Sequence, residues 1–373
     1  MRIAVDASFI DPGRVGGAEH MLTNLVEGLA LTAAPDDALE VFTDHPWDAP
    51  VGTAFRPIAG RGNRFTRITW TLHSVLRDYD AVLFSNYFTA PFPRSARRPR
   101  FVTVIHDLQY LHFPEHFSRQ KRLWLRVTHE ATLRLADATI AISHDVRRDI
   151  LTRYGRRWAP RVQTIHNPVS WTRFGSEEGA GAPPVDGPYV LAVAAQYPHK
   201  NLETLVRAFA RMRERGAHPD VDLVLAGQLG AQLSGVAWTR SLDDVIDDVG
   251  VRDAVHVTGY LSDRALGDAY RHASVFAFPS RFEGFALPVV EALGFGLPVL
   301  TTRSTAIPEV TRGLATYLDD PLDASAMADR MEAMLDDPSA FRPAPDEVTG
   351  LRAAYAPETI ALRYRGLFEE EAA

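Results

Sequence analysis

Short apolar runs rich in β-branched residues alternate with helix-period stretches along nearly all of this 373-residue chain, and the alternation occurs twice. In the first cycle, strands are expected at 3–8, 39–43, 81–85, 101–105, 138–142 and 162–165, with helices near 18–31, 64–76, 119–136 and 145–154. Residues 175–188 (GSEEGAGAPPVDGP) then break the rhythm with linker composition. A second cycle follows, with strands at 189–194, 221–226, 255–258, 274–279 and 299–302. Its helices fall near 202–215, 241–249, 263–272, 288–293 and 324–335. Strands interleaved with helices make right-handed βαβ units and parallel sheets. The pattern predicts an α/β protein of two doubly wound, Rossmann-like domains, 1–168 and 187–353, facing across a cleft. Ligands of such folds sit off the carboxyl ends of the strands.

Composition narrows the function classes. The chain has no cysteine, which excludes disulfides, thiol catalysis and thiolate metal sites. No apolar run reaches the roughly 18 residues of a membrane span. The start, MRIAVDASFI, reads as a first strand and not as a signal peptide. A cytoplasmic protein is expected. The net charge of −7 hides an asymmetry, since residues 1–168 hold 22 Lys+Arg against 17 Asp+Glu. The basic half is therefore the better candidate for an anionic partner. Only Lys121 and Lys200 are lysines, in a chain that otherwise writes arginine.

No G-x-G-x-x-G follows either first strand, and neither a P-loop nor a G-x-S-x-G is present. Hydride transfer, ATP hydrolysis and α/β-hydrolase chemistry lose their main signatures. The richest segment runs from Pro279 to Leu293, PSRFEGFALPVVEAL. It follows an apolar strand and opens a short helix with Pro288 in its first turn. Gly284 permits close backbone approach, and the amides of Phe285, Ala286 and Leu287 would face an anion. Glu283 and Glu291 bracket this helix start eight positions apart. Acids also favour helix starts for purely structural reasons, but strand, glycine, amides and two acids in one stretch favour a functional site.

Asp78-Tyr79-Asp80 is formally a D-x-D, but it precedes the strand at 81–85, at the edge away from the expected ligand. It reads as a polar turn, and no metal is expected.

Taken together, the segments resemble family-4 retaining glycosyltransferases, two-domain enzymes of GT-B fold. Glu283 to Glu291 is similar to the family's E-x7-E motif. Tyr197-Pro-His-Lys-Asn201 resembles its donor-phosphate loop and Val104-Ile-His-Asp-Leu108 its histidine loop. Gly16-Gly-Ala-Glu19 matches the glycine pair that opens its first helix, and Ala306-Ile-Pro-Glu-Val310 is also similar. The likeness spans essentially the whole chain, in order.

The resemblance implies a retaining, α-forming transferase that takes a sugar from a nucleotide diphosphate (GDP-mannose-like, or a UDP or dTDP sugar). The acceptor would be a hydroxyl of a glycan, a lipid-linked or a small molecule. By the family's pattern Lys200 and the amides after Gly284 meet the diphosphate, Glu283 holds donor-sugar hydroxyls and Glu291 the ribose. His106 would touch the donor sugar or the reacting centre. Gly259, Tyr260 and Leu261 would offer backbone to the base, and Gly16, Gly17, Glu19 and His20 would line the donor or acceptor side. Gly16 and Gly17 read equally well as an ordinary tight turn. No cofactor is implied beyond the sugar nucleotide. The final segment, 356–370, is expected to cross back onto the first domain. One departure stands out: relatives often carry Arg six positions before the lysine, where this chain has Ala194, followed by Ala195 and Gln196. Arg281 or another arginine is the alternative cation.

Two rivals share the architecture, a nucleotide-sugar 2-epimerase and a non-catalytic nucleotide-sugar-binding protein. Arg94–Arg100 and Arg119, Lys121, Arg122 and Arg126 around Leu123, Trp124 and Leu125 form a basic, aromatic-studded stretch. Docking on the inner membrane face and a solvated helix account for it equally well. Nucleic acid is not an expected partner, because the overall charge is negative and no recognition motif occurs.

Overall fold

The structure is a computed structural model that describes residues 1–10, 17–47, 52–58, 78–85, 99–176, 181–227 and 241–370. The chain forms two compact units, Met1–Val169 with Ala354–Ala373, and Ser170–Ala353.

Among the described residues, the first unit holds a seven-stranded sheet. Its strands are β1 (Arg2–Asp6), β2 (Ala38–Phe42), β3 (Thr53–Arg56), β4 (Ala81–Phe84), β5 (Arg100–Ile105), β6 (Ala138–Ala141) and β7 (Val162–Thr164). They pair in parallel in the order β3-β2-β1-β4-β5-β6-β7. β1, β4 and β5 are nearly continuous apolar runs with buried interiors, as a sheet covered on both faces requires. β3 was not expected from sequence; its alternating half-exposed pattern lacks the apolar run that marked its neighbours. The helices Arg119–Leu135 and His144–Tyr154 are capped by Ser118 and Ser143. The helix expected at 64–76, Gly16 and the basic stretch at 94–98 lie outside the described residues.

The helix Pro357–Glu369 packs on the helix Gly17–Leu31 of this unit. Their approach is so close that a Cβ on Gly28 would fall 2.1 Å from the Pro357 carbonyl oxygen. Arg365 pairs with Asp37 at 2.5 Å and Arg100 with Glu370 at 2.6 Å, tying the carboxyl-terminal part of the last helix down. Asp80 Oδ2 accepts from the Arg2 amide at 2.7 Å at the amino end of β1.

The second unit holds a parallel six-stranded sheet, in the order β10-β9-β8-β11-β12-β13. These strands are β8 (Tyr189–Val193), β9 (Asp222–Ala226), β10 (Val255–Gly259), β11 (Val275–Phe278), β12 (Val299–Thr302) and β13 (Thr316–Leu318). β13, three residues long, and the helix Pro345–Tyr355 were not expected. The core gathers Leu223, Leu225 and Val275 from the sheet with Leu205, Phe209, Met327 and Met331 from the covering helices.

In both sheets the strand order reverses direction at the first strand. The reversal falls between β1 and β4 in the first unit and between β8 and β11 in the second. A crevice at the carboxyl end of such a reversal is where open α/β sheets place ligands.

Candidate functional site

The second unit's reversal point delivers two loops to one place. β8 ends at Val193 and leads to Lys200; β11 ends at Phe278 and leads to Glu283. The loops are fastened backbone to backbone. The Arg281 amide donates to the His199 carbonyl at 2.8 Å, and Ser280 Oγ donates to the same oxygen at 3.2 Å. Asn201 Nδ2 donates to the Pro279 carbonyl at 3.3 Å and to that of Pro321 at 2.6 Å. Lys200 Nζ then meets Glu283 Oε1 at 2.6 Å, and sits 5.3 Å from the centre of the Phe278 ring. Both side chains are mostly withdrawn from solvent.

A third loop, after β12, completes the cradle. Thr305 Oγ1 accepts from the Glu283 amide at 2.8 Å and donates to the Glu283 carbonyl at 2.9 Å. Thr305 was not singled out in the sequence, where nothing distinguishes it from a surface threonine.

Backbone strain concentrates here. Five non-glycine residues among those described have positive φ, and Asn201 (57°), Ala286 (62°) and Thr305 (47°) are three of them. Each left-handed residue of this kind costs about 1–3 kcal/mol and persists where its surroundings over-determine it. Ala286 immediately precedes the helix Leu287–Gly294. The amides of Gly284, Ala286 and Leu287 have no protein acceptor among the described residues. Phe282 and Phe285 of the same loop are both buried. A lysine, a carboxylate and unclaimed helix-start amides therefore converge on one small surface, which suits an anion beside a hydroxylated group.

Glu291 is bonded to a different set of groups. It is 2% exposed, and both its oxygens are engaged. Oε1 accepts from the Arg173 guanidinium, and Oε2 from the Tyr270 hydroxyl at 2.9 Å. Burial raises the Glu291 carboxyl above its ordinary value, against the opposing pull of Arg173 and Tyr270. Arg173, in the turn Thr172–Phe174, was not foreseen either; as one arginine among many it carries no distinguishing signal.

Gly259 ends β10 on the same sheet edge and Tyr260 and Leu261 follow it, with Tyr260 56% exposed. Gly227, at the end of β9, has φ +133° and lies against Ala194, where a Cβ would stand 2.3 Å from the Ala194 carbonyl oxygen. Arg281 is exposed beside the Lys200 loop.

In the first unit, His106 follows β5, next to the reversal point. Its Nε2 donates to the Ser85 carbonyl at 2.8 Å, and Ser85 Oγ is hydrogen-bonded to the Asp6 carbonyl at 2.5 Å. Because a carbonyl only accepts, the proton of the neutral ring is on Nε2 and Nδ1 keeps its lone pair. Burial lowers the imidazole below its ordinary value, outweighing the Ser85 carbonyl and Asp107, which favour the charged form. Gly17, Glu19 and His20 form the start of the helix Gly17–Leu31, after β1.

The family described as "Glycosyl transferases group 1" matches residues 176–347, and "Glycosyltransferase Family 4" matches residues 15–173. An O-antigen chain mannosyltransferase B of Escherichia coli is 28% identical over 275 residues, 71% of this chain and 68% of its own. Other curated relatives, among them D-inositol 3-phosphate glycosyltransferases, align over less than half of their own lengths. Among solved structures, a sucrose-phosphate synthase from Thermosynechococcus elongatus superposes with a TM-score of 0.80 at 22% identity, over 98% of this chain and 99% of that one. Anabaena HepE in complex with UDP-glucose superposes with a TM-score of 0.71 at 18% identity, over 98% of each chain.

Proposed function

The chain belongs to the group 1 glycosyl transferases of glycosyltransferase family 4, and on that premise we propose that it is a retaining transferase using a nucleotide-diphosphate sugar. The observation that carries the proposal is the Lys200–Glu283 pair, set beside helix-start amides in a strained loop at the strand-order reversal. In transfer, the bond from the anomeric carbon to the diphosphate oxygen breaks and a bond to the acceptor oxygen forms. The acceptor's hydroxyl proton leaves with the diphosphate. Charge develops on the leaving oxygens while the sugar becomes oxocarbenium-like, so fixed cations and dipoles lower the barrier.

Lys200 supplies a point charge to the diphosphate, and the amides of Gly284, Ala286 and Leu287 supply dipoles. Glu283 accepts hydrogen bonds from donor-sugar hydroxyls and stabilises the electron-poor sugar. Glu291 accepts from the ribose, and the backbone around Gly259, Tyr260 and Leu261 meets the base. His106, with Nδ1 as an acceptor, takes a sugar hydroxyl. Gly17, Glu19 and His20 belong to the same ligand-facing edge of the first unit. These groups provide positive charge without a metal, so activity is expected to persist in EDTA.

A hexose is the expected donor sugar, and mannose is the first to test because the E. coli relative is a mannosyltransferase. The test is incubation with GDP-mannose, UDP-glucose and dTDP-glucose, with and without sugar acceptors, reading release of nucleotide diphosphate and the product's anomeric configuration. An α-linked product made only with acceptor supports the proposal. A donor whose sugar configuration changes without acceptor would make the protein an epimerase, and binding without turnover would make it a receptor.

A surface contact with anionic lipid is part of the proposal. Among the described residues no helix is long and apolar enough to cross a membrane. The helix Arg119–Leu135, however, exposes Leu123 (64%) and Val127 (59%) with Trp124 beside them. Arg119, Lys121, Arg122 and Arg126 flank these residues. Apolar side chains ringed by cations suit the boundary of an anionic bilayer.

A further inference from the structure

The turn Thr172–Phe174 is seated between two helices by two glycine notches. Phe174 packs on Gly267 of the helix Asp263–His272, where a Cβ would lie 2.7 Å from the Phe174 Cβ. Trp171 packs on Gly294, at the end of the helix Leu287–Gly294, where a Cβ would lie 2.2 Å from the indole Nε1. Arg173, between these anchors, is only 10% exposed and reaches both helices. Its Nη1 meets Asp263 Oδ1 at 2.8 Å, its Nη2 meets Glu291 Oε1, and its guanidinium stacks on the Phe174 ring at 4.3 Å.

Packing alone does not call for this arrangement. A buried arginine costs several kcal/mol to desolvate, and apolar residues of similar volume often stabilise as well or better. What an arginine adds is a fixed, planar, permanently charged fork. Here one arm is anchored on Asp263, so the other arm holds Glu291 in one orientation. Tyr270 fixes the second oxygen, and its own ring is held by stacking on Phe295 at 5.3 Å. Each carboxylate oxygen retains a further acceptor position beyond the bond it already makes. Glu291 is therefore pre-oriented, with acceptor capacity to spare.

We propose that Arg173 is a positioning residue for nucleotide binding, holding Glu291 as an oriented carboxylate that receives the ribose hydroxyls of the sugar nucleotide. This rests on the reading of Glu291 as a nucleotide contact. Among the described residues, the groups facing Glu291 are Arg173 from the turn and Tyr270 and Asp263 from the helix Asp263–His272. Arg173 is the one cation among them. Without it, burial and the remaining acid both push Glu291 toward the protonated form, which keeps one oxygen occupied by its own proton.

The experiment is a double-mutant cycle on the full chain, measuring affinity for UDP and for GDP by calorimetry, with thermal unfolding as the control for folding. Glu291→Gln and Arg173→Met are each expected to weaken the tighter-binding nucleotide at least tenfold at pH 7. Arg173→Met in the Glu291→Gln background is expected to change affinity less than twofold. The deficit of Arg173→Met relative to the wild type should also shrink as the pH rises from 6 to 8.5, because Glu291 regains its charge; Arg173→Lys should restore part of the affinity. A structural role would give a pH-independent deficit that persists in the Glu291→Gln background, and that result overturns the inference while leaving Glu291 in the site. Unchanged affinity in Glu291→Gln overturns both the inference and the assignment of Glu291. If Arg173→Met does not fold, the comparison of Arg173→Lys with and without Glu291→Gln carries the same test.

Discussion

Lys200 Nζ lies 2.6 Å from Glu283 Oε1, although the two residues are 83 positions apart and follow different strands. The pair neutralises two mostly buried charges in the resting protein. Under the proposed function the two members answer to different parts of the donor, the lysine to the diphosphate and the glutamate to the sugar. Their removal should therefore separate binding from turnover. Lys200→Ala should weaken nucleotide diphosphate binding by about 1.5–3 kcal/mol, roughly ten- to a hundred-fold. Glu283→Gln should bind free nucleotide diphosphate at least as well as the wild type, since a competitor for the lysine has gone, yet lose most turnover. Calorimetry with UDP and GDP, alongside an initial-rate assay, checks both; normal turnover in Glu283→Gln would remove that residue from the site.

Thr305 offers a subtler test of the same loop. Its hydroxyl bonds both the amide and the carbonyl of Glu283, and its own φ of 47° is unfavourable for a β-branched residue. Thr305→Ala removes both bonds and should cost about 1–2 kcal/mol of loop order. Kcat is expected to fall more than nucleotide affinity, because the residue holds the Glu283 backbone and not the diphosphate. A variant with reduced affinity and unchanged kcat would contradict that role.

How much of this the sequence declared varied with the kind of signal. The alternating apolar runs gave β1, β4, β5, β6, β8, β11 and β12 to within a residue or two, because fully buried parallel strands write themselves as continuous Val, Ile, Leu and Phe. β3 and β13 were missed, as edge strands with half-exposed, mixed residues carry no such run. Glu283 and Lys200 were legible because glycine, helix start and a rare lysine surround them. Thr305 and Arg173 were not. Their importance comes from long-range contacts, 22 positions from Glu283 and 118 positions from Glu291, and no local pattern encodes those.

Gly28 marks where the last helix meets the first. Both belong to the first unit, and the Pro357 carbonyl occupies the space that a Cβ on Gly28 would need. Helix propensity favours Gly28→Ala by up to about 1 kcal/mol. The steric conflict is with backbone, which cannot rotate aside, and overpacking of this kind costs about 1–3 kcal/mol. The variant should therefore unfold at lower temperature than the wild type despite the better helix former. A raised melting temperature would show that the two helices separate easily.

The exposed face of the helix Arg119–Leu135 predicts salt-sensitive lipid binding. Vesicles of phosphatidylglycerol with phosphatidylcholine should sediment the protein, and vesicles of phosphatidylcholine alone should not. Leu123→Ser with Val127→Ser should reduce that binding several-fold without altering the melting temperature, since both side chains are exposed. Equal sedimentation by neutral and anionic vesicles would remove the role of the cations, and no sedimentation by either would leave the helix as an ordinary solvated surface.

His106 ties the stability of the first unit to pH. In the unfolded chain an imidazole titrates near 6.5. In the folded protein burial lowers His106 below that value, against the opposing pull of the Ser85 carbonyl and Asp107. Between the two values the unfolded chain takes up a proton that the folded protein refuses. The stability tied to a neutral His106 is thus fully present above about pH 6.5 and is lost as the pH falls toward the folded value. His129, buried with its Nδ1 at 2.6 Å from the Leu125 carbonyl, is lowered by burial too and adds in the same window with the same sign. His106→Gln keeps an amide that can donate to Ser85 but does not titrate there, so its stability should fall less steeply than the wild type's between pH 7 and pH 5. Under the proposed function the same protonation removes the Nδ1 lone pair offered to a sugar hydroxyl, so turnover should fall in acid before nucleotide affinity does. His106→Ala should keep nucleotide affinity and lose turnover at every pH. Chemical unfolding at several pH values, with rates measured in parallel, checks all three; normal turnover in His106→Ala would make the histidine a packing residue whose titration matters to stability alone.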